Sequence, residues 1–419
     1  MASNKAPLGA TRRSVLTGAL AAGTSLAVGG AAARAESAPN IPDWTRYLGP
    51  GTGTRPYGAP ADFESDVVRR TVEWLTATRE SSVSFTPLHE LDGIITPNGL
   101  CFERHHSGIA MIDPDQHELM IHGLVDSPLM LTVSELRRLP QVNRIHFLEC
   151  AANTGMEWHG AQLNGCQYTH GMVHCVQYTG VSLKVLLERV GLKDKASWIL
   201  AEGADAAAMT RSIPLDKALD DCIVAYSMNG ERLRPEQGYP LRLVVPGFEG
   251  NMWIKWLRRI EVGDAPWHAR EETSKYTDLM PDGRARRFTW VMEAKSVITS
   301  PSPDSDPLEP GAHMIKGLAW SGHGRVERVD VSLDGGMNWQ TAELHGPVLP
   351  RCLTRFTIPW NWDGKPALLQ SRCIDEIGYV QPTPAELQSV RGTESIYHNN
   401  GIQTWQVKAD GRAENVRLG

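Results

Sequence analysis

Cys150 is the residue whose type and setting could do chemistry. It follows the apolar pair Phe147-Leu148 and Glu149, and precedes Ala151-Ala152-Asn153. An apolar stretch ending in cysteine and small residues reads as a strand that delivers a thiol to a tight turn. A thiolate held there is a nucleophile or a metal ligand. The same heptapeptide also describes a buried, inert thiol. A second cluster holds Cys166, His170, His174 and Cys175 within one short segment. Two thiols and two imidazoles so close suggest zinc, but the spacing matches no finger or ribbon pattern. A disulfide or a pocket-wall loop fits that segment better. No Cys-x-x-Cys occurs among the seven cysteines, so the chain has no haem attachment motif and no obvious iron–sulfur site. With Cys150 committed to a metal, the other six could pair.

The elements that must position Cys150 are short strands with few helices. Thr132-x-x-Glu135 is a capping box ahead of Leu136 and Leu139. Leu183, Leu186, Leu187 and Val190 follow a helical period that stops at Gly191. Leu241–Pro246 reads as a strand ending at proline. The Pro-, Gly- and Thr-rich stretch 36–90 reads as an extended lead-in. One helix is expected within it, over Asp66–Thr78, with Val67, Thr71, Trp74 and Leu75 on one face. Near residue 290 the character changes. Gly317–Trp320, Val326–Leu333, Trp339–Leu344, Phe356–Trp360 and Leu368–Ile374 are strand-like, and Asp334-Gly335-Gly336 is a hairpin turn. That pattern predicts a β-sandwich over 291–412, with Ser300–Pro310 as an early loop.

Thr11-Arg12-Arg13-Ser14-Val15-Leu16, a weakly apolar Ala/Gly run and Ala33-Arg34-Ala35 read as a twin-arginine export signal over 1–35. It points to the periplasm and to a cofactor loaded before export. The net charge of −6 favours no nucleic acid, and no later apolar run reaches membrane-spanning length.

Four stretches together resemble the sulfite oxidase family of molybdenum enzymes. They are Thr96–His106; Glu149–Asn153; the set Ser212–Leu215, Ala225–Gly230, Gly238–Gly247 and Ile254–Leu257; and Ala319–Gly324 with Val329–Gly336 and Trp339. The resemblance runs from about residue 88 to the C-terminus. It implies an α+β protein, a mixed α/β molybdopterin domain (91–290) followed by an immunoglobulin-like dimerisation domain. It implies one molybdenum–molybdopterin cofactor, with Cys150 as the protein's sulfur ligand. Arg104 matches the active-site arginine, and Phe102, His106 and Ser212 match cofactor-contacting positions. Arg242 and Lys255 match the cations that grip the pterin phosphate, a task that needs converging positive charge. Tyr276 matches the active-site tyrosine, whose phenol hydrogen-bonds and passes a proton. Trp158 and His159 either edge the pocket or fill the core. Trp320, Trp339 and Trp360 either offer dimer contact or fill the sandwich.

The export signal and motif details are similar to the periplasmic thiosulfate-oxidising branch of that family. Such members work as homodimers with a separate dihaem c-type cytochrome, in a heterotetramer. The departures are informative. The two arginines that follow the family cysteine are absent, since Thr154-Gly155 follows Asn153. Gln237 replaces a histidine, and His398-Asn399-Asn400-Gly401 stands where a substrate arginine is expected. A pocket with fewer cations should hold free sulfite poorly and admit sulfane sulfur on a carrier protein. The competing expectations are a free-sulfite dehydrogenase, another enzyme of the same cofactor such as a sulfoxide reductase, and a non-catalytic partner with the same fold.

Overall fold

The computed structural model describes Pro42 and residues 59–418. The export-signal reading and most of the lead-in lie outside the described residues. Ten strands build the first half: β1 (Glu118–Gly123), β2 (Leu129–Thr132), β3 (Val142–Glu149), β4 (Val173–Ser182), β5 (Trp198–Gly203), β6 (Thr210–Pro214), β7 (Ile223–Met228), β8 (Glu231–Arg232), β9 (Arg242–Val244) and β10 (Leu257–Gly263). One mixed sheet has the order β2-β1-β10-β5-β6, with β1 and β10 parallel. The other, antiparallel, runs β3-β4-β7-β8, with β9 added to β7. Every residue of β7 is buried, as a strand covered on both faces requires.

The helices are short. α1 (Val133–Leu136) starts at the expected capping box, with Thr132 and Glu135 each bonding the other's backbone. α2 is Cys166–His170, and α3 (Leu183–Val190) buries all four leucine and valine positions of its periodic face before Gly191. α4 is Leu215–Asp220 and α5 is Arg270–Thr273. The helix expected over Asp66–Thr78 does not form. Arg70 bridges to Phe85, and the Thr71 hydroxyl donates to the Val83 carbonyl at 2.6 Å. The segment lies extended over the surface with only a short 3-10 turn at Glu73–Leu75. Cross-chain partners for its backbone and the β-branched Val67, Val68, Thr71 and Val72 outweigh the weak periodicity.

After a small hairpin, β11 (Asp278–Leu279) and β12 (Ala285–Arg286), come β13 (Lys295–Ser300), β14 (Gly311–Trp320), β15 (Val326–Ser332), β16 (Gln340–Thr341), β17 (Glu343–His345), β18 (Thr354–Trp362), β19 (Ala367–Asp375), β20 (Thr404–Val407) and β21 (Ala413–Val416). They form two antiparallel sheets, β13-β14-β18-β17 and β16-β15-β19-β20-β21. The Asp334–Gly336 turn joins β15 to β16 as expected. The single strand expected over Trp339–Leu344 is instead two. The chain crosses from one sheet to the other at Ala342, whose N–H donates to Val329 O. A helix α6 (Pro384–Arg391) packs before β20.

Strand alternation in β3 sets the relation of the two halves. Leu148 and Cys150 face the first core, and Phe147 joins the second core with Val173 and Cys175 of β4. Glu149 points the same way as Phe147 and is wholly buried. Its carboxylate accepts from Lys295 Nζ (2.8 Å), Trp320 Nε1 (2.7 Å) and Asn153 Nδ2 (3.0 Å). Trp320 and Trp360 are buried in the sandwich, and Trp339 carries Arg372 over its ring at 4.3 Å.

Two outcomes follow from buried charge. Lys295→Met strands the Glu149 carboxylate, so unfolding free energy should fall by about 3–5 kcal/mol in denaturant titration. His146 of β3 is buried, and its pKa is pushed down to about 4, first by burial and then by Arg351. Its unfolded form takes a proton near the ordinary histidine value, so stability is full above about pH 6.5 and drains away as pH falls toward 4. His146→Gln should flatten that part of the urea-midpoint profile.

Candidate active site

Cys150 sits where β3 ends. Its N–H donates to Met172 O at 3.0 Å, and its carbonyl accepts from Asn153 N at 2.9 Å. Met172 N–H in turn donates to Asn153 Oδ1 at 3.1 Å, which ties the turn to the start of β4. Thr154 adopts φ 63°, a left-handed turn that sends the chain away before it can cover the thiol. Burial raises the Cys150 pKa, opposed by the Ala152 backbone N–H and by Arg104.

Two cavities meet at Cys150, Arg104, His106 and Tyr276. Arg104 makes no ion pair with a carboxylate among the described residues. Its Nη1 donates to Ser81 O at 3.1 Å and to His105 O, which leaves its charge directed at the junction. Glu103, its chain neighbour, is held by Arg69, and Glu149, beside Cys150, is held by Lys295. His106 Nε2 lies 3.1 Å from the Tyr276 hydroxyl. Its pKa is lowered to about 4 by burial and then by Arg104, so it is neutral at physiological pH. Burial pushes the Tyr276 phenol up. Tyr276 itself has φ 57°. That costly backbone state is held by Tyr397 (ring centroids 4.9 Å) and by the Arg211 guanidinium over its ring at 5.3 Å.

The first cavity is lined by Phe102, His105, His174, Asn251, Arg242 and Lys255, among others. Its buried donors lack an anion. Arg242 Nη1 reaches only Gln237, through O (3.2 Å) and Oε1 (3.0 Å), and its Nε has no partner. Lys255 Nζ reaches His105 Nδ1 (2.8 Å) and the carbonyls of Arg104 and Glu236 (both 3.1 Å). Burial and then Arg242 push Lys255 well below the usual lysine value. Both amide atoms of Asn251 and Nδ1 of His174 are buried without partners. Uncompensated buried cations and orphaned amides are costly unless a ligand meets them. An anionic group rich in donors and acceptors, with a soft-metal end at Cys150, fits this set. A molybdenum–molybdopterin group has that character.

The second cavity, about 420 Å³, opens beyond Cys150. Phe85, Met156, Tyr168, Met172, Ile396 and Tyr397 give it a largely apolar wall. Its cations are Arg104 and the exposed Lys275.

Comparison with known proteins gives the same picture. A family model for the oxidoreductase molybdopterin binding domain matches residues 106–271, and one for the Mo-co oxidoreductase dimerisation domain matches 286–405. Mitochondrial sulfite oxidase of Rattus norvegicus is 31% identical over 376 residues, covering 83% of this chain and 68% of that one. The human enzyme is 32% identical over 359 residues, 80% of this chain and 66% of that one. The crystal structure of the sulfane dehydrogenase SoxCD from Paracoccus pantotrophus is 56% identical, with TM-score 0.86, covering 92% of this chain and all of that one. The chain belongs to the sulfite oxidase family. Its fold is the family's: a mixed α/β molybdopterin domain followed by an immunoglobulin-like sandwich. Its cofactor is molybdenum–molybdopterin.

Of the residues expected to serve the site, Cys150, Phe102, Arg104, His106, Arg242, Lys255 and Tyr276 all line the first cavity of this family member. Ser212 does not. Its hydroxyl donates to Glu272 Oε2 (3.0 Å) and accepts from Trp267 N, because β6 turns that side chain toward α5. His398 is also turned away from the cavity, with Nε2 2.7 Å from Glu293, and Ile396 and Tyr397 stand there instead. Trp158 is buried, with Nε1–H donated to Tyr397 O, whereas His159 lines the second cavity. The segment 166–175 splits apart. His174 faces the first cavity, while Cys166 and Cys175 belong to the second core. All seven cysteines are free and buried, so the pairing left open for the other six does not occur. His105, Asn251 and Arg211 escape sequence reasoning. His105 sits between two candidates, and only its neighbourhood hinted at it.

Replacing Arg242 or Lys255 with Met should cut the cofactor retained by purified protein at least tenfold while thermal stability holds or rises. Released pterin and molybdenum, measured beside a melting curve, check this.

Proposed function

We propose that this chain is the molybdenum subunit of a periplasmic enzyme that oxidises sulfur bound to a carrier protein at the sulfane or sulfite level. Electrons pass to a c-type cytochrome subunit. At the coarser level, the chain is a molybdenum oxidoreductase acting on sulfur compounds. The observation that carries the finer reading is the second cavity: wide, apolar and poor in cations, yet open onto Cys150 and Arg104. Its likeness to a sulfane dehydrogenase at 56% identity supports it.

When bound, the cofactor supplies oxygen-atom transfer to a sulfur lone pair and takes up two electrons. Cys150 would be the chain's sulfur ligand to its metal. Arg242 and Lys255 would hold the pterin phosphate, with Gln237 and His105 orienting them. Phe102 and His106 would pack the cofactor. Arg104 would face the sulfur-bound oxygens, the place where negative charge grows. Each oxygen added to sulfur comes from water and releases two protons. The Tyr276 hydroxyl and neutral His106, 3.1 Å apart, can hold and hand on one of them. The apolar wall excludes bulk water and accepts a flexible peptide arm with its terminal sulfur.

The chain has no haem attachment motif, so electrons must leave to a partner. A dihaem c-type cytochrome fits, and the sandwich would pair two copies of this chain within a heterotetramer. The Thr11–Leu16 segment would export the folded, loaded protein. No helix among the described residues is long and apolar enough to cross a membrane.

The experiment is turnover of the purified complex with free sulfite and with a carrier protein bearing a cysteine persulfide. The reading expects the carrier to be preferred in kcat/KM by at least tenfold. A preference for sulfite would favour a free-sulfite dehydrogenase. Absence of molybdenum from natively exported protein would leave only the non-catalytic reading. Cys150→Ser should lose activity at least a hundredfold. Ile396→Arg adds a cation to the apolar wall and should lower KM for free sulfite about tenfold, the worth of one charge-assisted bond.

A further inference from the structure

Cys166, at the start of α2, is drawn into a cluster that the sequence pattern did not show. Its thiol, an imidazole nitrogen of His89 and a carboxylate oxygen of Asp304 lie within 4.8 Å of one another. The three come from three separate places: the turn Leu88–Glu90, the start of α2, and the loop between β13 and β14. Cys166 is fully buried, while the His89 and Asp304 side chains keep 16% and 14% exposure.

Several details point to a ligand rather than to a satisfied cluster. His89 Nδ1 is buried and has no hydrogen-bond partner. It lies 3.7 Å from Asp304 Oδ2, too far for a hydrogen bond. Two ligands on one tetrahedral zinc ion, with bonds of 2.0–2.3 Å, stand about 3.3–3.8 Å apart. The other ring nitrogen, Nε2, faces the Glu90 carboxylate at 3.3 Å. A proton on Nε2 would face that carboxylate and leave the Nδ1 lone pair for a metal, as in a metal-bound histidine backed by a carboxylate. The same Asp304 Oδ2 accepts backbone N–H bonds from Cys166 and from Gln167 (3.3 Å), which fixes the carboxylate in place. Gly165, with φ 93°, has no side chain to block that carboxylate.

We propose that His89, Cys166 and Asp304 bind a divalent zinc-class cation, with water in the fourth position. Nitrogen, thiolate and carboxylate donors suit zinc. Thiolate and carboxylate together balance its charge, and binding releases the thiol proton to solvent. The exposed edges of His89 and Asp304 give the ion a way in. The site ties the loop after β13 to α2, so it is a clasp between the halves and takes no part in sulfur chemistry.

The test uses the untagged, molybdenum-loaded holoenzyme, stripped with a chelator and titrated with zinc and then cobalt. One zinc per chain is expected, and cobalt should give a thiolate-to-cobalt charge-transfer band in the difference spectrum. Cys166→Ala should abolish the band and weaken zinc binding at least a hundredfold. Asp304→Asn keeps an acceptor for the α2 N–H groups and should weaken binding about tenfold. His89→Gln, a partly exposed position, gives a third reading should either of these fail to fold. Molybdenum content and turnover should stay unchanged in all three. Absence of the cobalt band in the parent protein, or its survival in Cys166→Ala and His89→Gln, overturns the proposal.

Discussion

The buried charge of Glu149 is the constraint on which the site depends. It stands one residue before Cys150 and points into the sandwich, where Lys295 and Trp320 meet it at 2.8 and 2.7 Å. Lys295 also reaches Thr154 Oγ1 at 2.8 Å, so one ammonium holds both ends of the turn that presents the thiol. A carboxylate so deep would be intolerable alone. Besides nearby Asn153, its donors come from β13 and β14, 146 and 171 residues further along the chain. The sandwich therefore does more than offer a dimer surface, because the thiol turn is complete only when β13 and β14 are folded against it.

The neighbouring cavity shows the opposite condition. Arg242 is buried almost as deeply as Lys295 and Lys255 is half-buried beside it, but no carboxylate pairs with either among the described residues. The difference marks structure from function. Charges that hold the fold together are paired within the chain, and charges that await a ligand are kept apart by Gln237, His105 and backbone carbonyls. Those neutral partners fix the cations' geometry without cancelling their field.

Much of this was legible in order along the chain. Cys150 was legible because an apolar run stops at a thiol and small residues, and Arg104, Arg242 and Lys255 because they fall within the motifs that carry the family resemblance; Tyr276 lies outside those stretches and was matched by its distance along the chain from Trp256. The sandwich strands were legible because their alternation is local. The misses have physical reasons. Ser212 lies in a family motif, yet the direction of its side chain is decided by Glu272, which local pattern does not reveal. The helix over Asp66–Thr78 lost to Phe85 and Val83, which offer its backbone partners from the next segment. Lys295, Asn251 and Arg211 act across gaps that no short window spans. Cys166 was noticed for the wrong company, since its neighbours in space are His89 and Asp304 rather than His170 and His174.

Counting cations from sequence also misses where they went. Arg211 is fully buried behind Tyr276, with its guanidinium 5.3 Å from that ring and 4.3 Å from Phe288. Glu249 and Glu272 lie 3.3 and 3.7 Å from it. Placed there, the charge can orient the phenol but cannot touch an oxyanion in the second cavity. Glu249, buried beside it, has its pKa raised to about 8, mostly by burial, so it need not carry a full negative charge at neutral pH. Glu272 still answers the guanidinium, so Arg211 acts by holding the Tyr276 ring while the cavity wall stays apolar. A pocket arranged this way stabilises charge where oxygen is added to sulfur but offers little to attract a small dianion from solvent. On the proposed reading, the binding energy for the substrate comes from contacts remote from the reacting sulfur, and a carrier protein has such surface where free sulfite has none.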